Sequence, residues 1–542
     1  MKTIKRILAA LLAAAVMLPM VACGEKVEKP SEGEQPSSVV ESGTTTEGDN
    51  SNADLTEYFP DPSNPVTLSM FADINWLSFD SMEGGIVAEE LKKKTGISID
   101  MTMGIDGEQL KLMIASGDLP DLVCTYTVSS REQLSDERVC WPLKELQDKY
   151  TPNWQLSPEK QKLYALEADD GRYYALYNYY NTTAELEAAD SFAFDTGAFY
   201  VRQDIYEELG APAVKTKEDF YALMQSVKDN YPDMDPFVFP SRGDFLLPQL
   251  VGFDSGKPTD ENGNYVHSLS DPKYKDYIKV VNEMYRQGFI NEEVFSYNSD
   301  EQAMKGIGAG TTFMFAYFPN NSDITTFTPM VKANFPNAKF EMFPLLDTFT
   351  KTCSTYLDNG IFIPKSCTNP EAAIKFLCWA SQPVGSYTLQ YGVQGTDWDL
   401  DENGKLKVLD RYLEKNNAGT AEMDYKSYAY VFGVGDYIFD RQFYYATASE
   451  GAKKVYDDAL SKIKWDNTLA YVYPKRDTPE REIRTDLSEL ISDYVTKLYI
   501  AKSDEEFDSL WADMMKEAEN IGLADYNTWL QAEYEEQVKI WG

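Results

Sequence analysis

From Pro65 onward the chain alternates short apolar runs with amphipathic ones, and this alternation limits the folds open to it more than any other feature. Pro65–Phe71 alternates at period two and predicts a strand. Gly85–Gly96 predicts a helix, with Lys92, Lys93 and Lys94 in its last turn and Gly96 as its stop. Ile97–Met101 alternates again, Gln109–Ala115 is helical, and Asp121–Tyr126 opens on Leu122-Val123-Cys124, an apolar strand start. Strand–helix–strand–helix–strand predicts parallel α/β architecture.

A second cycle opens near Phe199-Tyr200-Val201. Thr216 is placed to cap a helix whose first turn carries Glu218 and Asp219. Asp271–Gln287 predicts a long amphipathic helix stopped by Gly288, and Thr312–Phe315 a strand. Asn369-Pro370-Glu371 caps a helix over 372–379, and from about Lys453 the chain reads as mostly helical, ending in a charged helix over Tyr526–Trp541. No short repeat appears, so the doubled pattern predicts two lobes, not a solenoid.

The first residues read as an address. Lys2, Lys5 and Arg6 precede an apolar stretch from Ile7 to Pro19, too short to span a bilayer. It ends in Met20-Val21-Ala22-Cys23-Gly24, which resembles a bacterial lipobox with Met20 where Leu is usual. That resemblance makes residues 1–22 a lipoprotein signal peptide and Cys23 the lipidated, palmitate-bearing residue. Residues 23–60 are rich in Glu, Ser, Thr, Gly and Pro. So little there can be buried that the segment is expected to be a disordered acidic linker, tethering an extracytoplasmic body to the cell membrane.

Composition removes several classes. The net charge is -38, from 88 Asp+Glu against 50 Lys+Arg. So acidic a surface repels phosphate backbones and argues against a nucleic-acid partner. A single histidine, His267, argues against His-based metal sites and Ser-His or Cys-His catalysis. It follows the turn at Asn262-Gly263 and is expected to be exposed. Beyond Cys23, Cys124, Cys140, Cys353, Cys367 and Cys378 show no CxxC and are expected to be buried free thiols, with a Cys353–Cys367 pair open only if geometry allows it. The 36 tyrosines exceed what a core alone would use, and Tyr favours half-wet surfaces.

Several segments carry a family resemblance. Ala115-Ser116-Gly117-Asp118-Leu119-Pro120-Asp121-Leu122-Val123 matches the "aSGdlPDi" turn of extracellular solute-binding protein family 1, the maltose-binding-like sugar-binding lipoproteins of ABC importers, in its large Gram-positive branch. Gly171–Leu176 is similar to "dGkyYalP", with Tyr177 for the usual Pro. Tyr200–Ile205 with Glu208-Leu209-Gly210, Met284–Glu293, Asn369–Leu377, Tyr391–Gly395 and Ile521–Tyr534 follow in the family's order. The resemblance covers about Asp61 to Val538. It implies a two-lobed α/β fold of the periplasmic-binding-protein type 2, with a hinge and an interlobe ligand cleft. On that basis residues 61–185 with 345–410 form lobe 1, and 186–344 with 411–542 form lobe 2. The family also implies a monomeric, non-enzymatic receptor that needs no cofactor, binds a neutral carbohydrate of the oligosaccharide class, and delivers it to ABC permease subunits.

A sugar offers apolar C–H faces and hydroxyl edges, so candidate residues are rings and planar polar groups near strand ends. Asp73, Asn75 and Trp76 follow the first strand at its carboxyl end, and Tyr126 follows the third. Tyr177, Asn178 and Tyr179 are placed near the expected crossover as a cleft wall. Arg242 stands in a second-lobe loop beside Asp244, where a surface ion pair is the plainer reading. Tyr317 and Asn320 follow the Phe313–Phe315 strand, and Tyr356 and Asp358 precede Ile361–Ile363. Tyr437 and Arg441 form a further set. No metal is expected; the nearest pattern is Asp399, Asp401, Asn403 and Asp410, which fall at calcium-loop positions but read as a hairpin tip. Two alternatives stay open: a surface glycoside hydrolase, and a binding protein for a peptide or other non-sugar solute.

Overall fold

The structure is a computed structural model and describes residues 59, 65–74, 81–104, 107–189, 197–240, 244–355, 357–402, 404, 406–418, 420–426, 429–432 and 437–541. The expected signal peptide, Cys23 and the linker fall outside them. Thirteen strands are named along the described chain. The first four are β1 (Val66–Asp73), β2 (Ile97–Met103), β3 (Leu122–Thr125) and β4 (Ala175–Tyr177). Then come β5 (Ala198–Arg202), β6 (Asp235–Val238), β7 (Thr312–Tyr317) and β8 (Phe340–Met342). They are followed by β9 (Lys351–Cys353), β10 (Gly360–Phe362), β11 (Trp398–Leu400), β12 (Leu406–Val408) and β13 (Ile463–Trp465).

The strands sort into two main sheets. One has the order β2-β1-β3-β10-β4, the other β6-β7-β5-β8. β1 runs parallel to β2 and β3, as the right-handed strand–helix–strand units demand. β10 enters antiparallel between β3 and β4. In the second sheet β6 and β7 are parallel, while β5 is antiparallel to both neighbours.

Local chemistry explains the boundaries. Gly96 and Gly117 end the helices Ile86–Thr95 and Glu108–Ser116 in the left-handed conformation. Thr216 and Asp219 form a capping box for Lys217–Asn230, and Asp271 accepts from Lys273 N to start Pro272–Arg286. Asn369 accepts from Ala372 N to start Pro370–Ala380. The turn before β3 is tied by Asp121, whose Oδ2 accepts from Ser69 N (2.9 Å) and Ser69 Oγ (2.8 Å) and whose Oδ1 accepts from Thr368 N and Oγ1 (both 2.7 Å).

Each sheet has its own core. The first gathers Leu68, Phe71, Val87, Leu91, Val123, Ile361, Phe376 and Trp398; the second gathers Phe199, Tyr200, Phe220, Val281, Phe313, Phe315, Leu487 and Met514. The cores correct the expected lobe limits in two places. Leu345, Leu346 and Phe349 pack in the second core, and Tyr412, Tyr425, Val431, Phe432 and Phe443 in the first. Boundaries at 344/345 and 410/411 would cut through continuous apolar packing. No described helix is long and apolar enough to cross a membrane. All five described cysteines are buried and free, Cys353 and Cys367 included.

Candidate functional site

Pairing register builds the first-lobe side. β1 and β3 align Asp73 with Thr125 at their carboxyl ends, and Thr125 Oγ1 donates to Asp73 Oδ2 at 3.0 Å. Asp73 is only 3% exposed, so it braces the strand ends beneath the surface. Tyr126, one residue on, is half-buried. Asn75, Trp76, Arg242 and Tyr356 lie outside the described residues. Asp358 is half-buried just before β10.

Tyr177 and Asn178 do not form the expected cleft wall. Tyr177 is 4% exposed and packs edge-on against Tyr164 and Phe362. Its hydroxyl donates to Glu167 Oε2 at 2.9 Å, and burial pushes that phenol well above its ordinary range. Gly360 is paired with both Thr125 and Tyr177, and a Cβ there would meet the Tyr177 ring at 2.8 Å. Asn178 is 1% exposed; its Oδ1 accepts from Asn359 N at 2.7 Å. Its Nδ2 is buried with no partner among the described residues. As part of the sheet and of its pairing with the returning chain, these two residues form structure beneath the crossover. Sequence counted rings and amides here but could not tell which face of β4 they take.

The crossover itself is a knot of buried polar groups. Asn467 Oδ1 accepts from Thr355 N (2.9 Å) and Thr355 Oγ1 (3.1 Å). Asn181 O accepts from Thr355 Oγ1 (2.8 Å) and Asn467 Nδ2 (2.9 Å). Three chain segments passing between the cores therefore meet at one point. Beside it Tyr179 is half-buried at φ 63°, a strained value for a bulky residue. Its ring lies edge-on to Tyr437, 6.5 Å away, and Tyr437 is edge-on to Trp465 at 6.0 Å.

The helix Tyr437–Thr447 joins the two sides. At one end Ile438 N donates to Asn181 Oδ1 (3.3 Å). At the other, Tyr444 O and Thr447 Oγ1 accept from Asn321 Nδ2 (2.7 and 2.9 Å). Arg441 in this helix is 7% exposed, its guanidinium 5.4 Å from the ring centres of both Tyr437 and Tyr444. On the second-lobe side, Tyr317 ends β7 half-buried with its hydroxyl donating to Asp300 Oδ2 at 2.9 Å. Asn320 is half-buried and accepts from Ser322 Oγ. Asn321 holds φ 59°, which an Asn tolerates. Trp465 was missed by sequence reading: a three-residue strand after a long helix leaves no periodic signal.

The Asp399–Asp410 run is a hairpin tip, as its flanks predicted. β11 and β12 pair antiparallel, Asp399 Oδ1 accepts from Gln394 Nε2, and Asp410 opens a helix beyond β12. Asn403 lies outside the described residues. Among the described residues no three His, Cys, Asp or Glu side chains group to hold a metal ion. The lone histidine corrects its expectation. His267 is half-buried, accepts from Leu269 N at Nδ1 (3.3 Å) and lies edge-on to Tyr526, and burial lowers its pKa to about 4.

Two α/β cores, three crossing segments and a ring-lined hinge define a two-lobed ligand-binding protein. The sequence profile of the bacterial extracellular solute-binding proteins matches residues 84–387, more than half of the chain, and the chain belongs to that family. It is 24% identical over 497 residues to the fructooligosaccharide ABC transporter substrate-binding protein FusA of Streptococcus pneumoniae, covering 83% of this chain and 87% of FusA. It is 22% identical over 366 residues to lipoprotein LipO of Bacillus subtilis, covering 60% of this chain and 66% of LipO. Among solved structures, the alginate-binding protein AlgQ2 superposes with TM-score 0.65 at 19% identity, over 87% of this chain and 98% of AlgQ2. FusA in complex with kestose superposes with TM-score 0.63 at 21% identity, over 87% of this chain and 99% of FusA. These likenesses show the two-lobed fold.

Proposed function

We propose that this protein is a non-enzymatic receptor of an ABC importer, taking a neutral oligosaccharide into the interlobe cleft and passing it unaltered to the permease. The observation that carries this reading is the hinge-side grouping of the half-buried rings of Tyr179, Trp465 and Tyr444 near Arg441, with the buried ring of Tyr437 packed beneath them. Rings cover the apolar faces of a sugar while amides and carboxylates bond its edges. The names of FusA and AlgQ2 support a saccharide over a peptide. Ligand reaching both lobes only in the closed form shifts the balance toward closure, the state a permease can distinguish.

In this reading Asp73, Tyr126, Asp358, Tyr179, Tyr317 and Asn320, with Asn75, Trp76, Arg242 and Tyr356, surround the ligand either directly or as its immediate support. The body works as a monomer, held at the membrane by a lipid on Cys23, and the name of LipO favours that anchor. Thermal-shift and calorimetric titration with neutral oligosaccharides, fructooligosaccharides among them, tests the reading. One-to-one binding with intact sugar recovered is expected; a cleaved product, or binding only to peptides, overturns it. Labelled palmitate incorporated by the wild type and lost in Cys23→Ala tests the anchor.

A further inference from the structure

We infer that Arg131 is a positioning residue for the ligand site: without touching ligand, one guanidinium fixes the two first-lobe segments that carry Tyr126 and Asp358. The inference rests on the receptor reading above and adds a residue that neither motif nor family resemblance marked.

Arg131 lies in the short helix Val128–Leu134 just after β3 and is 4% exposed. Its Nε donates to both oxygens of Glu167 (3.1 and 3.0 Å) and Nη2 to Glu167 Oε1 (2.6 Å). The pair is therefore bidentate. Tyr177 completes it, donating its hydroxyl to Glu167 and laying its ring 5.6 Å from the guanidinium carbon. Nη1 is left over, and it donates to two backbone carbonyls: Tyr126 O at 3.2 Å and Asp358 O.

Those carbonyls belong to chain segments 232 residues apart in sequence yet adjacent in the sheet, because Gly360 of β10 pairs with Thr125 of β3. Beyond that pair Asn359 is held from the β4 side, its O accepting from Asn178 N and its N donating to Asn178 Oδ1, and from β3 by Cys124 Sγ at its Oδ1, while the Tyr126 and Asp358 carbonyls are linked to one another through a common donor. The planar fork of Arg131 supplies that link from three separate nitrogens, whereas a lysine ammonium carries its three donors on one atom at the end of a flexible stem and cannot match their spacing. A buried ion pair is weak grounds for stability, since apolar replacements are often as stable. Its use here is geometric: it sets where the two segments stand.

The experiment compares Arg131→Lys with Asn282→Ala, a destabilising control in the second lobe whose Nδ2 donates to Tyr499 O and Ala501 O. Ligand affinity is measured by calorimetry with whichever oligosaccharide binds the wild type, and amide hydrogen exchange is followed without ligand. Expected for Arg131→Lys are at least tenfold weaker binding and faster exchange over 124–128 and 357–361. Asn282→Ala is expected to lose stability and keep both wild-type affinity and wild-type exchange in those segments. Should Arg131→Lys not fold, R131M combined with E167Q removes both charges, keeps an acceptor for Tyr177, and is expected to show the same two losses. If no oligosaccharide binds the wild type, the receptor reading fails and the exchange measurement alone decides. Unchanged exchange in both segments, or affinity within threefold of wild type, overturns the role given to Arg131.

Discussion

Two titratable side chains have environments that the sequence did not announce, and they act on stability in opposite senses. Asp323 follows the Tyr317–Asn321 loop, is 1% exposed, and its Oδ1 has no partner among the described residues. Burial raises its pKa to about 6, with Ser449 Oγ and Ile324 N opposing that rise. The folded carboxyl thus holds its proton where the unfolded one has lost it, so this contribution is full below the unfolded value near 4 and is lost as pH rises through 6. His267 is the reverse: with its pKa lowered to about 4, its contribution is present above about 6.5 and is lost as pH falls toward 4. Asp323→Asn should therefore gain stability over wild type between pH 4 and 7, by up to about 3 kcal/mol. His267→Gln should flatten the loss toward pH 4. Urea unfolding across that range checks both; parallel profiles for all three proteins would refute the assignment. Neither environment is legible in sequence, since each depends on helices that arrive from more than a hundred residues away.

Elements with a strong local period were legible, and those made by long-range pairing were not. β1, β2 and the helix Pro272–Arg286 stand where alternation and amphipathic spacing placed them, with Asp271, read as the first helical residue, serving as the cap. β9 and β13 have three residues each and pair with one another; β9 is too short to show an alternation, and β13 lies in the stretch after Lys453 that reads as mostly helical. The "SGDLPD" turn was legible as a strand start, but its mechanics needed the structure. Asp121 receives four hydrogen bonds that join β1, the start of β3 and the loop before Pro370–Ala380. Burial works against its charge, yet the donors from Ser69 and Thr368 outweigh it and lower the pKa. That stabilisation is present above the unfolded carboxyl value and disappears as pH falls through the folded one. Asp121→Ala leaves Thr368 N and Ser69 N without their acceptor and should cost about 2–4 kcal/mol. Asp121→Asn, which keeps one accepting oxygen, should cost less. Denaturant midpoints measure the order, and an alanine variant within 0.5 kcal/mol of wild type, roughly the scatter of surface changes, would exclude the clamp.

At the scale of the molecule, the doubled α/β pattern was legible and the division of labour between its halves was not. Which core a segment joins is settled by packing: Tyr412, Tyr425, Phe432 and Phe443 enter the first core although the chain has already visited the second. The helix Leu523–Trp541 buries Tyr526 and Leu530 in the second core, while its Trp541 stacks on Tyr471, a first-core residue, at 4.7 Å. The two cores are thus coupled through this helix, through the helix Tyr437–Thr447 and through the knot of Asn181, Thr355 and Asn467. Of these links the knot is the most costly to break, because its groups are buried and bond one another. Asn467→Ala strands Thr355 N and takes a donor from Asn181 O. It should lower stability by about 2–4 kcal/mol and weaken the tie between cores, each of which is large enough to melt as a unit. Calorimetry is then expected to show one transition for the wild type and two resolved components for the variant. A single sharp transition merely moved to lower temperature would show that the knot stabilises both halves without coupling them, and the hinge would have to be sought in the two joining helices instead.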